Sequence, residues 1–352
     1  MLKRILKIFG KFLAAVLLTA LAVLLNALFA CAILAYGPSQ EWQRRFVATF
    51  DETSAMKFVP RMFFSEEVVQ ALLNPEPDPP EEEDPFTELA FEPGAQEPDK
   101  EPGPTVVVAD PPEDGEDWLE IVDVKGLTYK GKMMLIHDPS RVIVGTLDAY
   151  GESYQGLRLA NFIEKYGAIG GTNAGGFEDI NGTGTGGIPD GLVIRNGKLA
   201  WGSPSDWYRN VVGFDADHIL HVGNMTGQAA LNLGLTSAVS FNPGPILIQN
   251  GKLRTRLGGG LNPRTCIGQT ADGTILLLVV EGRRPDSLGA TYDDITQVMA
   301  EFGAVNAANL DGGSSSEMYY EGERIIRNSS VYSGGRRLPT AILILSGEKS
   351  DG

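Results

Sequence analysis

From Phe12 to Tyr36 the chain is apolar for 25 residues, interrupted only by Thr19 and Asn26. A helix of that length, rising 1.5 Å per residue, crosses the ~30 Å hydrocarbon core of a bilayer, so the segment reads as a membrane-spanning anchor. Lys3, Arg4, Lys7 and Lys11 precede it. The positive-inside bias then places the N-terminus in the cytoplasm and everything after Tyr36 outside. A cleaved signal peptide has a shorter apolar core, about 7–15 residues, ending at a small-residue site. "LFAC" at 28–31 is similar to a lipoprotein cleavage site, but Phe29 fits it poorly and "AILAY" continues the apolar run. An uncleaved anchor over residues 1–36 is therefore expected.

The rest divides by composition. Residues 37–74 mix charged and apolar groups, and Ser65 in "SEEVVQALL" is placed to cap a short helix, which predicts a juxtamembrane helical collar. Residues 75–117 hold 16 acidic side chains and one basic one, Lys100, among many prolines. Such a segment repels itself and buries too little to offset chain entropy, so it is expected to be an extended, disordered stalk. The stalk also accounts for nearly all of the formal charge of −16. Residues 118–352 carry 20 basic and 24 acidic groups. That near-neutral balance excludes a general nucleic-acid binder, which needs a basic face. Only Cys31 and Cys266 occur; they supply no disulfide framework or Cys-rich zinc site, and Cys266 reads as a small core residue.

From Asp117 onward short β-rich runs alternate with turns. "LEIVDV", "MMLIHD" and "RVIVGTL" predict strands, and "YQGLRLANFIEKYG" predicts a helix. "PDGLVIRNGKL" from Pro189 and "PGPILIQNGKL" from Pro243 repeat at an offset of 54 residues. Each predicts a hairpin with an Asn-Gly turn, at Asn196-Gly197 and Asn250-Gly251, where both central residues take positive φ. A third hairpin is expected at Asp272-Gly273. Thr291 with Asp294 predicts a capped helix whose Ile295, Val298, Met299 and Phe302 form one apolar stripe. "AVNAANL" and "AILIL" read as buried strands. Strands outnumber helices, and helices intervene singly, which predicts an α+β domain: a mixed, mostly antiparallel sheet with a few packed helices, single and globular over 118–348.

Three stretches hold groups that a core does not select. "GGTNAGGFEDINGTGTGGIPDG" at 170–191 places nine glycines beside Asn173, Glu178, Asp179 and Asp190. Glycine allows close backbone approach to a ligand, and the carboxylates can serve as bases. A divalent cation held by Glu178, Asp179 and Asp190 is compatible with this pattern, although no cofactor is required by it. "GGGLNPRTCIG" at 258–268 puts Arg264 at the mouth of a strand, where a permanently charged guanidinium suits an anion clamp. In "NLDGGSSSEM" at 309–318, Asp311 follows an apolar strand, and Gly312, Gly313 and Ser314 can turn their amides towards an anionic oxygen. Neither glycine run has the following helix of a dinucleotide or Walker loop.

In order along the chain, "TNAGGF" at 172–177, "GGIPDGLVIRNGKL" at 186–199, "PGPILIQNGKL" at 243–253, "NPRTCIG" at 262–268 and "NLDGGSSSEM" resemble the phosphodiester glycosidase family. "RRLPTAILIL" at 336–345 resembles its closing strand, and "TNAGGFED" departs from the paired aromatics of the animal members towards the bacterial branch. The resemblance implies hydrolysis of a sugar joined through its anomeric carbon to a phosphodiester. Cleavage there passes through an oxocarbenium-like transition state that a carboxylate can stabilise or attack. The phosphate departs as a stable anion, so one carboxylate and an anion clamp could suffice.

On that basis Asp311 is expected to be the nucleophile or base, with Asp190 or Glu178 next. Arg264 would hold the phosphate with the amides of Gly312, Gly313 and Ser314. Asn173 and Asn309 would bind sugar hydroxyls or an acyl group, and Gly175, Gly176 and Thr265 complete the substrate-binding set. The partners so implied are a glycosyl phosphodiester substrate and the membrane, through residues 12–36, with an extracytoplasmic catalytic domain. A non-catalytic glycan-binding or envelope-assembly protein and a phosphodiesterase attacking phosphorus are the alternatives.

Overall fold

The structure is a computed structural model and describes residues 2–53, 56–73, 118–179, 183–242, 244–330 and 334–346. The expected stalk at 75–117 lies outside the described residues, as do residues 180–182 and Pro243 within the motifs. The chain forms two compact units, Met1–Asp78 and Pro79–Gly352.

In the first unit α1 (Leu2–Tyr36) is one unbroken helix. Its stretch Phe9–Tyr36, with a hydropathy of 2.5, is long and apolar enough to cross a membrane. Three short helices follow: α2 (Gln40–Asp51), α3 (Phe58–Arg61) and α4 (Glu66–Leu73). Ser39 caps α2 by accepting from the Trp42 amide, and Ser65 Oγ accepts from the Val68 amide at the start of α4. Their apolar faces meet in a small core of Phe46, Val47, Val59 and Val69 against Ala35.

The second unit carries strands β1 (Leu119–Lys125), β2 (Lys130–Ile136), β3 (Val142–Thr146), β4 (Ala168–Asn173), β5 (Val193–Arg195), β6 (Lys198–Trp201), β7 (Trp207–Phe214), β8 (Leu220–Thr226) and β9 (Ser237–Ser240). It continues with β10 (Ile246–Gln249), β11 (Lys252–Leu253), β12 (Arg264–Thr270), β13 (Ile275–Val280), β14 (Ala304–Asn309), β15 (Met318–Tyr320), β16 (Glu323–Arg324) and β17 (Thr340–Leu345). Helices α5 (Leu159–Tyr166), α6 (Gly227–Asn232) and α7 (Tyr292–Glu301) intervene. The α+β class expected from the sequence is what forms, but the strands sort into three sheets rather than one. A seven-stranded sheet runs β1-β2-β13-β12-β14-β10-β11, and two five-stranded sheets run β16-β15-β4-β17-β3 and β6-β5-β9-β7-β8. Each described pairing of named strands is antiparallel.

The local chemistry explains the elements. Asn196 and Gly197 take φ 51° and 68°, and Asn250 and Gly251 take 51° and 75°, as two-residue hairpin turns with both centres left-handed require. Thr291 and Asp294 form a reciprocal capping box on α7. The predicted helix at 154–167 shrinks to α5, because Leu157 pairs with Leu338 in an extended bridge instead.

The core is shared. Ile267 of β12, Val212 of β7, Val239 of β9, Val144 of β3 and Ile342 of β17 pack in one cluster contributed by all three sheets. On the other side of the seven-stranded sheet, Cys266, Leu276, Leu278 and Val280 pack against Ile295 and Met299 of α7. Alternation along β12 therefore decides which residues face the inner core and which face α7.

Candidate active site

The site forms where β4 and β14 end and β12 begins. β14 terminates at Asn309, and the chain continues through Leu310 into Asp311, whose amide donates to the Ala174 carbonyl at 2.9 Å. Leu310 donates to the Thr265 carbonyl at 2.7 Å. Asn173, at the end of β4, is the knot between these segments. Its Nδ2 donates to the Asp311 carbonyl at 2.6 Å, while its Oδ1 accepts from Thr265 Oγ1 at 2.9 Å and from the Glu317 amide at 3.1 Å. Every polar atom of that buried side chain faces protein, so Asn173 and Thr265 position Asp311 rather than reach a sugar.

Burial pushes the Asp311 carboxyl up to about 7, with the Asp179 charge adding to the rise; the Ser315 hydroxyl, the Arg336 guanidinium and the Gly312 amide oppose it. A carboxyl raised towards neutrality by burial is the kind of group that can exchange a proton during acid–base chemistry. Arg336 is 5 % exposed. It grips Asp179 with both Nη atoms, at 3.0 and 2.8 Å, and Nη1 also reaches Ser314 Oγ at 3.3 Å. A second cation, Arg283, lies against Gly313: a Cβ added to that glycine would sit 3.2 Å from Arg283 Nη2. Arg283 has a φ of 58° and Asn262 Oδ1 accepts from its Nε and Nη2 at 3.3 and 3.1 Å. A non-glycine residue held in the left-handed region costs about 1–3 kcal/mol and persists only where the surroundings impose it.

Behind Asp311 lies a second buried acid, Glu317, 1 % exposed. Burial raises it to about 7 against the pull of Arg324, the Arg336 amide and Arg158. Asn328 Nδ2 donates to its Oε1 at 3.2 Å and Arg324 Nη2 approaches Oε2 at 3.5 Å. Through the Arg336 amide, Glu317 fixes the backbone from which the Arg336 guanidinium extends.

Several expectations are corrected. Arg264 is not a phosphate clamp. It shares the Cys266 face of β12, where its Nε donates to the Ala290 carbonyl at 3.1 Å, its Nη2 to the Gly260 carbonyl at 2.7 Å, and its guanidinium lies 3.9 Å from the Tyr292 ring centroid. Thr265, one residue on, faces the site instead. Asn309 is likewise fully buried beside Cys266, with its Nδ2 donating to the Leu310 carbonyl. Burial raises the Cys266 thiol far above its ordinary value, and it is a core residue.

Two of the three amides of the expected nest are also occupied. The Gly312 amide serves the Asp311 carboxyl and the Gly313 amide donates to the Pro263 carbonyl at 2.9 Å. The amides of Gly175 and Gly176 donate to Thr340 Oγ1 and the Ser240 carbonyl. Glu178, Asp179 and Asp190 do not converge on a cation: among the described residues no three metal-ligating side chains cluster, and Asp179 is paired with Arg336.

Asp190 is tied to the same Ala174–Gly176 segment as Asp311, its amide donating to the Gly176 carbonyl at 2.9 Å. Burial and the exposed Glu178 raise its carboxyl, which has no hydrogen-bonding partner among the described residues. The residues that reading of the sequence missed are Arg336, Arg283 and Glu317. The signal for the first was Gly334-Gly335 immediately before it, both left-handed at φ 83° and 80°; nothing local marked the other two.

On this three-sheet α+β scaffold a buried carboxyl, Asp311, is flanked by a guanidinium and hydroxyl groups, an arrangement suited to a hydrolase. The comparisons narrow that class. The family model for phosphodiester glycosidases matches residues 166–345, about half of the chain, and the chain belongs to that family. Among curated proteins, the SPbeta prophage-derived uncharacterized protein YomE of Bacillus subtilis (strain 168) is 33% identical over 144 residues, 38% of this chain and 22% of the relative. This chain thus spans about a fifth of that relative's length. Among solved structures, the catalytic domain of zebrafish N-acetylglucosamine-1-phosphodiester alpha-N-acetylglucosaminidase, auto-inhibited by its pro-peptide, is similar in fold. Its TM-score is 0.55 at 21% identity, over 68% of this chain and 87% of that one. A hypothetical protein from Synechocystis has a TM-score of 0.44 at 17% identity, over 64% of this chain and 61% of its own.

Proposed function

We propose that the second unit hydrolyses a glycosyl phosphodiester at the anomeric carbon, with Asp311 attacking or stabilising that carbon. The observation that carries this reading is the Asp311 carboxyl, held near neutral pKa between Ser315 and Arg336 inside the span matched by the family. The C1–O bond breaks and its electron pair leaves with the phosphate monoester, an anion that needs little protonation. Water supplies hydroxide to C1 and its proton passes to the carboxylate or to solvent. Arg336, Ser314 and Arg283 supply the positive and hydrogen-bonding environment for the phosphate, a role that Arg264 cannot take from the α7 side. Asp190 accepts from sugar hydroxyls. With α1 as an anchor and the basic residues before it on the cytoplasmic side, the substrate is an envelope polysaccharide or glycolipid outside the membrane.

The test offers the full-length chain in detergent a panel of α- and β-glycosyl phosphodiesters in heavy-oxygen water. Label in the released sugar is expected. Label in the phosphate would mean attack at phosphorus, and saturable binding without released sugar would mean a glycan-binding protein; either result rejects the proposal.

A further inference from the structure

An open hollow of about 520 Å³ is lined by Gly191, Leu199, Ala200, Trp201, Gly202, Asp206 and Tyr208. That volume falls within the ~300–1,000 Å³ of small-molecule clefts. Gly191 joins it directly to Asp190. Trp201 is locked in place: its Nε1 donates to the Pro189 carbonyl at 3.1 Å, and Tyr150 packs on it at 6.1 Å between ring centroids with a 61° tilt. The floor is cut back by glycine. A Cβ on Gly202, at φ 97°, would meet the Tyr208 hydroxyl at 2.7 Å. Tyr208 itself is held by donation from the Ser203 amide to its hydroxyl at 2.7 Å. At the rim, the exposed Asp206 carboxylate has no hydrogen-bonding partner among the described residues.

A half-buried, immobilised indole beside an acceptor-only carboxylate matches a pyranose ring. The ring's apolar C–H face lies on the electron-rich face of the indole, and its equatorial hydroxyls donate outward to the acid. Another open hollow, about 660 Å³, lacks this pairing, because its Lys165 and Asp148 bind each other at 2.8 Å. We infer that the Trp201–Asp206 hollow is a saccharide subsite that takes a neutral sugar unit of the substrate beyond the one cleaved. This rests on the reading of Asp311 and Asp190 as the cleavage site, and it specifies the substrate class: a glycan longer than a single sugar.

The test uses the full-length chain in a sugar-free detergent, titrated with maltotetraose, cellotetraose and chitotetraose and followed by saturation-transfer NMR. Binding of at least one tetrasaccharide in the range up to ~10 mM is expected. Trp201→Ala should weaken it by about tenfold or more, and Asp206→Asn by roughly threefold to tenfold. Turnover of a monosaccharide phosphodiester should stay within about twofold of the parent in both variants. Asp206 is exposed, so its variant folds even if Trp201→Ala does not. Absence of binding by all three tetrasaccharides, or binding indifferent to both substitutions, overturns the inference. If saccharide binds through Trp201 while no phosphodiester is cleaved, the hydrolase reading fails and the subsite stands.

Discussion

Asp311→Asn separates the cost of the carboxylate from its use. Burial raises the carboxyl from an ordinary 3.8 to about 7. The folded state therefore keeps a proton between these values where the unfolded chain has lost it. The sign follows: stability is full below the unfolded pKa, falls as pH rises towards 7, and is flat above. At about 1.4 kcal/mol per pH unit, the ionised group costs the folded state on the order of 4 kcal/mol above pH 7. Partial exposure of the residue brings the expectation to roughly 2–4 kcal/mol. Asparagine retains the shape and an acceptor for Ser315 but never ionises. The substitution should then raise stability by that amount at pH 9 and by about a third of it at pH 5, while turnover falls by about 10³-fold or more. The gain at pH 9 corresponds to roughly 5–15 °C in Tm for a unit of this size. Thermal unfolding at the two pH values, with hydrolysis measured on the same samples, reads both. An equal gain at pH 5 and 9, or retained turnover, would refute the reasoning.

Three further outcomes follow from the same geometry. If Asp311 acts ionised, kcat/KM rises as pH passes upward through about 7, and a flat profile between about pH 5 and 9 would contradict that role. Arg264→Ala removes a buried guanidinium from the Ala290 and Gly260 carbonyls and from the Tyr292 ring. It should cost about 3–5 kcal/mol in chemical denaturation with little change in KM, and a large KM rise at unchanged stability would restore Arg264 as the clamp. Gly335→Ala, at φ 80°, drives a Cβ into the Glu317 carboxyl; a loss of roughly 2–5 kcal/mol is expected by the same measurement, and near-parent stability would show that the Glu317 wall yields.

Much of the fold was legible in the residues because local chemistry imposed it. Two Asn-Gly pairs could make only tight turns, Thr291 with Asp294 announced α7, and a long, nearly continuous apolar run allowed one long helix. The position of Asp311 was legible too, since the apolar run before it predicts a buried strand that ends just ahead of the carboxylate. Its surroundings were not. Arg264 and Thr265 are neighbours in sequence, and only the pairing of β12 between β13 and β14 determines which of them faces Asn173 and which faces α7. Arg336 lies 25 positions after Asp311, and no periodicity links them; Glu317 and two left-handed glycines bring it back to the site. Composition and short-range patterning determined the class, the turns and the acid. The choice of cation was made by strand alternation and long-range packing, because a one-residue step along a strand turns a side chain to the opposite face.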